Sequence, residues 1–213
     1  TNNMTDLQYA ELIKAVASRI KSVSDIPVNA YSFTGLIYGK NEKWLNTGIA
    51  NGVLENLDNV TYHPYDWFEP VELSAQKTTK KAQELTEEIK AVNPEAKMAI
   101  SELGVSKQFK YIASDREQGA VTARTVMHYQ VRDLARYFTV FKLNHTSALE
   151  QSHVEDGFGL VKSANSKYAD DSGKILVPTE AFLSFAAMNY VLADSTPLGV
   201  YNLGENVAAN GFM

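Results

Sequence analysis

The sequence contains no cysteine. Disulfide scaffolds, cysteine nucleophiles and thiolate metal sites are therefore excluded together. The absence does not fix the compartment, because a large extracellular enzyme can rely on its core alone. No apolar run approaches the roughly 18 residues of a membrane-spanning helix, and the nearest, residues 181–193, is short and interrupted by Ser184 and Asn189. Basic charge is scarce as well: 20 Lys and Arg stand against 25 Asp and Glu, a net charge of −5. A nucleic-acid binder carries a concentrated basic stripe. The closest approach to one is Lys77, Lys80 and Lys81, diluted by Thr78 and Thr79 and read as a solvated helix face. Short motifs are missing too. There is no GxxxxGKS/T phosphate loop, no GxGxxG at a strand–helix junction and no HExxH, and a serine hydrolase lacks its GxSxG elbow. The chain begins at Thr1 without a secretory h-region behind it. It reads as processed, excised or incomplete at its start, although loss of Met alone gives the same first residue.

What is present is a repeated sentence. The 213 residues, 45% hydrophobic, suffice for one sizeable core. Asn2, Asn3 or Thr5 can cap a first helix, in which Leu7, Leu12, Val16 and Ile20 recur at helical spacing to about Lys21. Residues 28–31 follow as a short strand, extended toward Phe33 or broken near Gly35. Trp44, Ile49, Val53, Leu54 and Leu57 predict a second helix, weakened by Gly48 and Gly52. Residues 60–62 are a strand, 73–92 a helix with Ala82, Leu85 and Ile89 on one face, and 97–101 a strand. A long helix is predicted from about Glu117 through Val121, Val126, Val131, Leu134, Ala135 and Phe138, then a strand over 139–143. Residues 145–172 are polar and glycine-rich, a long loop of the kind that usually serves function, with Phe158 and Leu160 as its anchors. Pro178 introduces an apolar helix over 179–192.

Strand starts near 28, 60, 97 and 139 lie 32, 37 and 42 residues apart, the spacing of parallel βα units. Two closures fit: an open doubly wound sheet, or an arc of a (β/α)8 barrel. A full barrel takes about 250 residues, so four units make half of one. Residues 1–195 are assigned to that half barrel, and 196–213 to its end or to the start of a following β segment.

In either closure, chemistry belongs at the carboxyl ends of the strands. After the second strand, His63, Pro64, Tyr65, Asp66 and Trp67 gather polar rings and aromatics that can stack on a sugar ring and donate to its hydroxyls. After the third comes Glu102, a lone carboxylate ending an apolar strand, able to attack an anomeric carbon. Retaining glycoside hydrolysis also needs a general acid/base about 5–5.5 Å away. Asp66, Glu69, Glu155 and Asp156 are less well placed for that role, and Glu42 is explained as a helix-start residue. After the fourth strand come Asn144 and His145. His153, Glu155 and Asp156 have metal-ligand spacing but share one glycine-rich loop, so no metal is assigned. His128 falls mid-helix and reads as a packed histidine.

Val60-Thr61-Tyr62-His63-Pro64-Tyr65 resembles the sixth strand of the retaining (β/α)8 glycoside hydrolases whose catalytic glutamates follow strands four and seven. Ala99-Ile100-Ser101-Glu102-Leu103-Gly104 resembles the seventh, and His63 and Glu102 stand 39 residues apart. Tyr31-Ser32-Phe33-Thr34-Gly35 would be the fifth strand with its loop, and residues 139–144 the eighth. The resemblance covers residues 6–195 and implies strands 5–8 of a TIM barrel, incomplete in this chain. It implies Glu102 as nucleophile, His63 and Tyr65 as groups ordering substrate and nucleophile, and Trp67 as a sugar platform; Asn144 and His145, by their place after the fourth strand, are read as substrate-binding. It implies no cofactor, a carbohydrate substrate, and a secreted or periplasmic β-glycosidase. The acid/base glutamate would come from a second polypeptide or a missing N-terminal segment supplying strands 1–4. Asn41-Glu42 copies the family's dipeptide but not its position. The eighth strand lacks the usual tryptophan, with Lys142, Asn144 and His145 in its place. An inactive carbohydrate-binding barrel fragment and a structural or regulatory α/β domain are the alternatives.

Overall fold

The computed structural model describes residues 4–34, 40–65, 71–143, 154–162, 177–204 and 207–213. Helix α1 (Asp6–Lys21) starts at a capping box in which the Thr5 hydroxyl accepts from the Gln8 amide and the Gln8 side chain accepts from the Thr5 amide. Its apolar periodicity identifies the helix but not its packed face. Leu7, Leu12 and Val16 are 46–47% exposed, while Ala10 and Ala17 are buried. The physical reason is the neighbour. Lys14 donates to the Asn51 carbonyl at 2.8 Å, Asn56 donates to the Ser18 hydroxyl at 3.1 Å, and the Tyr9 and Trp44 rings meet edge-on. Alanines on that side let the backbones approach.

Strand β1 (Asn29–Thr34), helix α2 (Lys40–Ala50), strand β2 (Asn59–His63), helix α3 (Val71–Val92) and strand β3 (Lys97–Leu103) follow in order, then helix α4 (Asp115–Gln130) and strand β4 (Phe138–Val140). The strands form one sheet in the order β1-β2-β3-β4. Asn59 and Val60 lie beside Asn29 and Ala30 on one side and beside Lys97 and Met98 on the other, all parallel. An incomplete parallel sheet flanked by helices is the architecture of part of a (β/α)8 barrel. The open doubly wound alternative is set aside. Gly52, at φ +69°, ends the second predicted helix early and leaves Leu54–Asn56 as a single 3-10 turn.

The chain divides into two compact units. The first comprises Thr1–Trp67, Ser74–Ser101 and Asp133–Phe138. Its core includes Leu45, Leu54, Val60, Leu85, Ile89, Met98 and Ile100, each 2% exposed or less. The buried Tyr62 hydroxyl donates to the Leu134 carbonyl at 2.8 Å. Lys77 and Lys80 are exposed as predicted, but Lys81 turns inward to pair with Glu42 in the first turn of α2. That hydrogen bond and charge raise the Lys81 pKa above the ordinary lysine value.

At the amino end of this sheet, Asp58 accepts from the Val28 amide at 2.6 Å and pairs with Lys21 at 2.6 Å. Burial pushes its carboxyl up, but Lys21, the Val28 amide and Arg136 together outweigh that and hold it below the ordinary value of 3.8. The sign follows from linkage: a depressed folded-state pKa stabilises above the unfolded value, and the contribution is lost as pH falls through the folded one. Asp58→Ala is expected to cost about 1–3 kcal/mol near neutral pH, because it orphans a backbone donor. Urea unfolding of both proteins should show the gap narrowing once the pH drops below 3.8. A gap independent of pH refutes the pairing argument.

The second unit comprises Phe68–Leu73, Glu102–Arg132 and Thr139–Met213. Ser114 caps α4 by accepting from the Glu117 amide at 3.1 Å. The predicted helix through Phe138 is corrected: α4 stops at Gln130, and Asp133 takes φ +53°, a left-handed conformation no helix continues through. His128 lies in α4, half-buried, with its ring 5.8 Å from that of Tyr129. Gln118, 1% exposed, donates to the carbonyls of Val105 and Gly157 and so ties the segment after β3 to the turn at Val154–Gly157. Phe158 and Leu160 are buried anchors, as predicted. Strands β5 (Val161–Lys162) and β6 (Val177–Pro178) pair antiparallel, helix α5 (Glu180–Leu192) is capped by Thr179, and β7 (Pro197–Gly204) and β8 (Val207–Phe212) form a hairpin.

Candidate functional site

The carboxyl ends of β1, β2 and β3 carry an unbroken chain of polar side chains in the first unit. Parallel register sets Thr61 beside Ala99 and Tyr62 beside Ile100, so the next pair in line is His63 and Ser101. The His63 Nε2 lies 3.0 Å from the Ser101 hydroxyl. The Ser101 hydroxyl reaches that of Ser32 at 3.5 Å, and the Ser32 and Thr61 hydroxyls are 3.1 Å apart. Thr61 finishes the chain by donating to the Ala30 carbonyl at 3.1 Å. Residues of β2 and β3 two apart share a face, which is why Thr61 and His63 point together.

Strand β1 reaches this arrangement through an irregularity. Its register with β2 shifts between Tyr31 and Phe33, and Tyr31 and Ser32 adopt φ +87° and +53°. Such values are uncommon for residues with a side chain and cluster at functional sites. The two amides are nevertheless satisfied: Tyr31 donates to the Tyr9 hydroxyl at 3.2 Å and Ser32 to the Thr61 hydroxyl at 3.0 Å.

Of the sequence-predicted residues, His63 is in this chain and half-buried, while Tyr65 is buried two positions on, its amide donating to the His63 carbonyl at 2.9 Å. Glu102 occupies the next-to-last position of β3, half-buried. Gly104 follows it, and a side chain there would meet the Phe141 carbonyl oxygen at 1.8 Å. Glu155 pairs with Lys142 at 3.6 Å within the second unit. Trp67, Asn144 and His145, together with Asp66, Glu69 and His153, lie outside the described residues.

No family profile matches the sequence, and no curated protein matches it. Solved structures do match by shape. A family 51 α-L-arabinofuranosidase from Bifidobacterium longum aligns over 99% of this chain and 47% of its own, with TM-score 0.66 and 13% identity. A family 17 β-1,3-glucanosyltransferase from Rhizomucor miehei aligns over 78% of this chain and 56% of its own, with TM-score 0.51 and 16% identity. An active-site mutant of the Rhizomucor miehei enzyme, in complex with laminaritriose, gives TM-score 0.53 at 15% identity, over 83% of this chain and 60% of its own. The fold resembles that of glycoside-hydrolase barrels.

The chain spans about half the length of these barrel proteins. The sequence reading missed Ser32 and Thr61 and quoted Ser101 only as a neighbour of Glu102. Strand alternation is the signal that finds them: they are the small hydroxyl residues on the face His63 occupies. Among the described residues no three histidine, aspartate or glutamate side chains converge as metal ligands, and no helix is long and apolar enough to cross a membrane.

Proposed function

We propose that this chain is the nucleophile-bearing half of a retaining β-glycosidase acting on a polysaccharide or oligosaccharide. The supporting observation is the His63–Ser101 contact at the carboxyl ends of adjacent parallel strands, with Glu102 the next residue of the same strand. In this reading a Glu102 oxygen attacks the anomeric carbon as the glycosidic bond breaks, and an acid protonates the leaving oxygen. Water then cleaves the resulting glycosyl ester. His63 and Tyr65 order substrate and nucleophile, Trp67 is the sugar platform, and Asn144 and His145 bind substrate. The acid/base glutamate and strands 1–4 belong to a second polypeptide or an N-terminal segment. The exposed Leu7, Leu12 and Val16 on α1, the helix preceding the edge strand β1, support such a completing partner. Secretion or periplasmic export is proposed with it, on the family resemblance alone.

One observation favours a second reading, a catalytically inactive carbohydrate-binding fragment. Ser101 is the residue that faces His63, and consecutive side chains of a regular strand leave from opposite faces. Covalent trapping separates the two. Incubating the completed barrel with 2-deoxy-2-fluoro β-glycosides is expected to leave a glycosyl adduct on the peptide that carries Glu102, read by mass spectrometry. Sugar binding with no adduct, or an adduct on another residue, overturns the nucleophile assignment.

A further inference from the structure

A second feature of the first unit lies on the helix side of β1. Tyr31 and Phe33 stack at 4.7 Å between centroids, Tyr9 of α1 meets Tyr31 at 5.6 Å, and Trp44 of α2 meets Tyr9 at 5.3 Å. These four rings wall a cavity of about 190 Å³ whose remaining lining among the described residues is Ser32, Thr34 and Asn41. The volume is below the roughly 300–1,000 Å³ of drug-sized sites, so it suits one ring rather than a chain. Among the described residues the Tyr31 hydroxyl is buried against Gly48 without a hydrogen bond. Burial keeps that phenol well above its ordinary pKa. The backbone bearing it is held at the unusual φ values of Tyr31 and Ser32, the kind of local strain that persists where surrounding structure over-determines it.

We propose that this cavity binds a single neutral sugar ring, separately from any catalytic role of Glu102. A pyranose or furanose presents an apolar C–H face to aromatic walls and hydroxyls to a polar rim, and here Thr34 and Asn41 supply polar lining, the Ser32 hydroxyl being engaged with Thr61. An organic cation also favours aromatic walls, but among the described residues no carboxylate contributes to this lining. The strand explains the arrangement: the shift between Tyr31 and Phe33 turns both rings to the helix side, while the Ser32 hydroxyl still reaches Thr61 on the other.

Trp44 reports on its own cavity. In a Trp67→Phe background it is the sole tryptophan. Titration with methyl β-D-glucopyranoside and with methyl α-L-arabinofuranoside is expected to change its fluorescence saturably with at least one of them. The Kd should be on the order of millimolar, the range open to about a dozen heavy atoms. Tyr9→Leu should weaken that binding by about tenfold, the loss of one aromatic wall. Because Tyr9 also receives the Tyr31 amide, nuclear Overhauser contacts from the Trp44 indole to the sugar ring give a test that needs no such variant. No saturable response to either glycoside, a stronger response to tetramethylammonium, or saturation without indole–sugar contacts overturns the proposal. Glu102→Gln should leave the titration unchanged, so failure of the hydrolytic reading and failure of this one are distinguishable.

Discussion

Glu102→Gln is expected to lower β-glycoside turnover by the completed barrel by about 10⁴-fold or more, the scale on which removal of a covalent nucleophile acts. The substitution is isosteric and keeps the half-buried position at the end of β3 filled, so the fold should be preserved. What disappears is the charge and lone-pair strength needed to form the glycosyl ester. The measurement is steady-state hydrolysis of 4-nitrophenyl β-glycosides. A structural role is distinguished with Glu102→Ala, where azide should restore part of the turnover and yield a glycosyl azide of inverted configuration. Near wild-type turnover in the glutamine variant, or no azide product from the alanine one, removes Glu102 from the chemistry.

Gly104→Ala is expected to cost about 3 kcal/mol or more, at the upper end of what overpacking does. The added methyl would lie 1.8 Å from the Phe141 carbonyl oxygen, 2.9 Å from its carbon and 2.8 Å from the Phe158 ring. The obstacle is mostly backbone. That stretch is pinned by the Phe141 amide donating to the Leu103 carbonyl at 3.0 Å, so it cannot step aside as a side-chain end does. For a chain of this size the expected fall in Tm is about 6–12 °C, read by calorimetry. Gly52→Ala is the control. It has a positive φ, but its new methyl meets only the flexible ends of Glu55 and Lys14, and its loss should be about 1 kcal/mol. Equal losses at both positions contradict the close-approach argument.

The parallel βα order was legible because each strand in the sequence is a compact apolar run between helical stretches, and the four strands lie within a few residues of their predicted places. Two kinds of detail were not. Asp133, left-handed, keeps the chain from resuming α4 beyond Gln130, and nothing in the apolar spacing of Val126, Val131 and Leu134 carries that information; both later residues are indeed buried, but outside the helix. The packed side of α1 was not legible because periodicity weighs large side chains, whereas close helix approach selected Ala10 and Ala17. At the candidate site, His63 stood out as a rare residue type at a strand end. Ser32, Thr61 and Ser101 did not, since serine and threonine are common and only cross-strand register joins them. Nor does the sequence show why Gly104, two residues after Glu102, is glycine: its close neighbour is the main chain at Phe141.

The irregular stretch of β1 also bears on how copies of this chain behave toward each other. A rim strand with spare amides is a template on which another molecule can add its own strand and start an aggregate. At Tyr31 the amide is already engaged by a phenol from α1, while that of Ser32 turns inward to a hydroxyl of β2. The backbone there has also left the extended conformation that ladder growth requires. Only Asn29 and Ala30 precede the kink. The distortion that borders the aromatic cavity thus confines ladder pairing on this rim to the residues either side of it, for a completing barrel strand as much as for a stray copy.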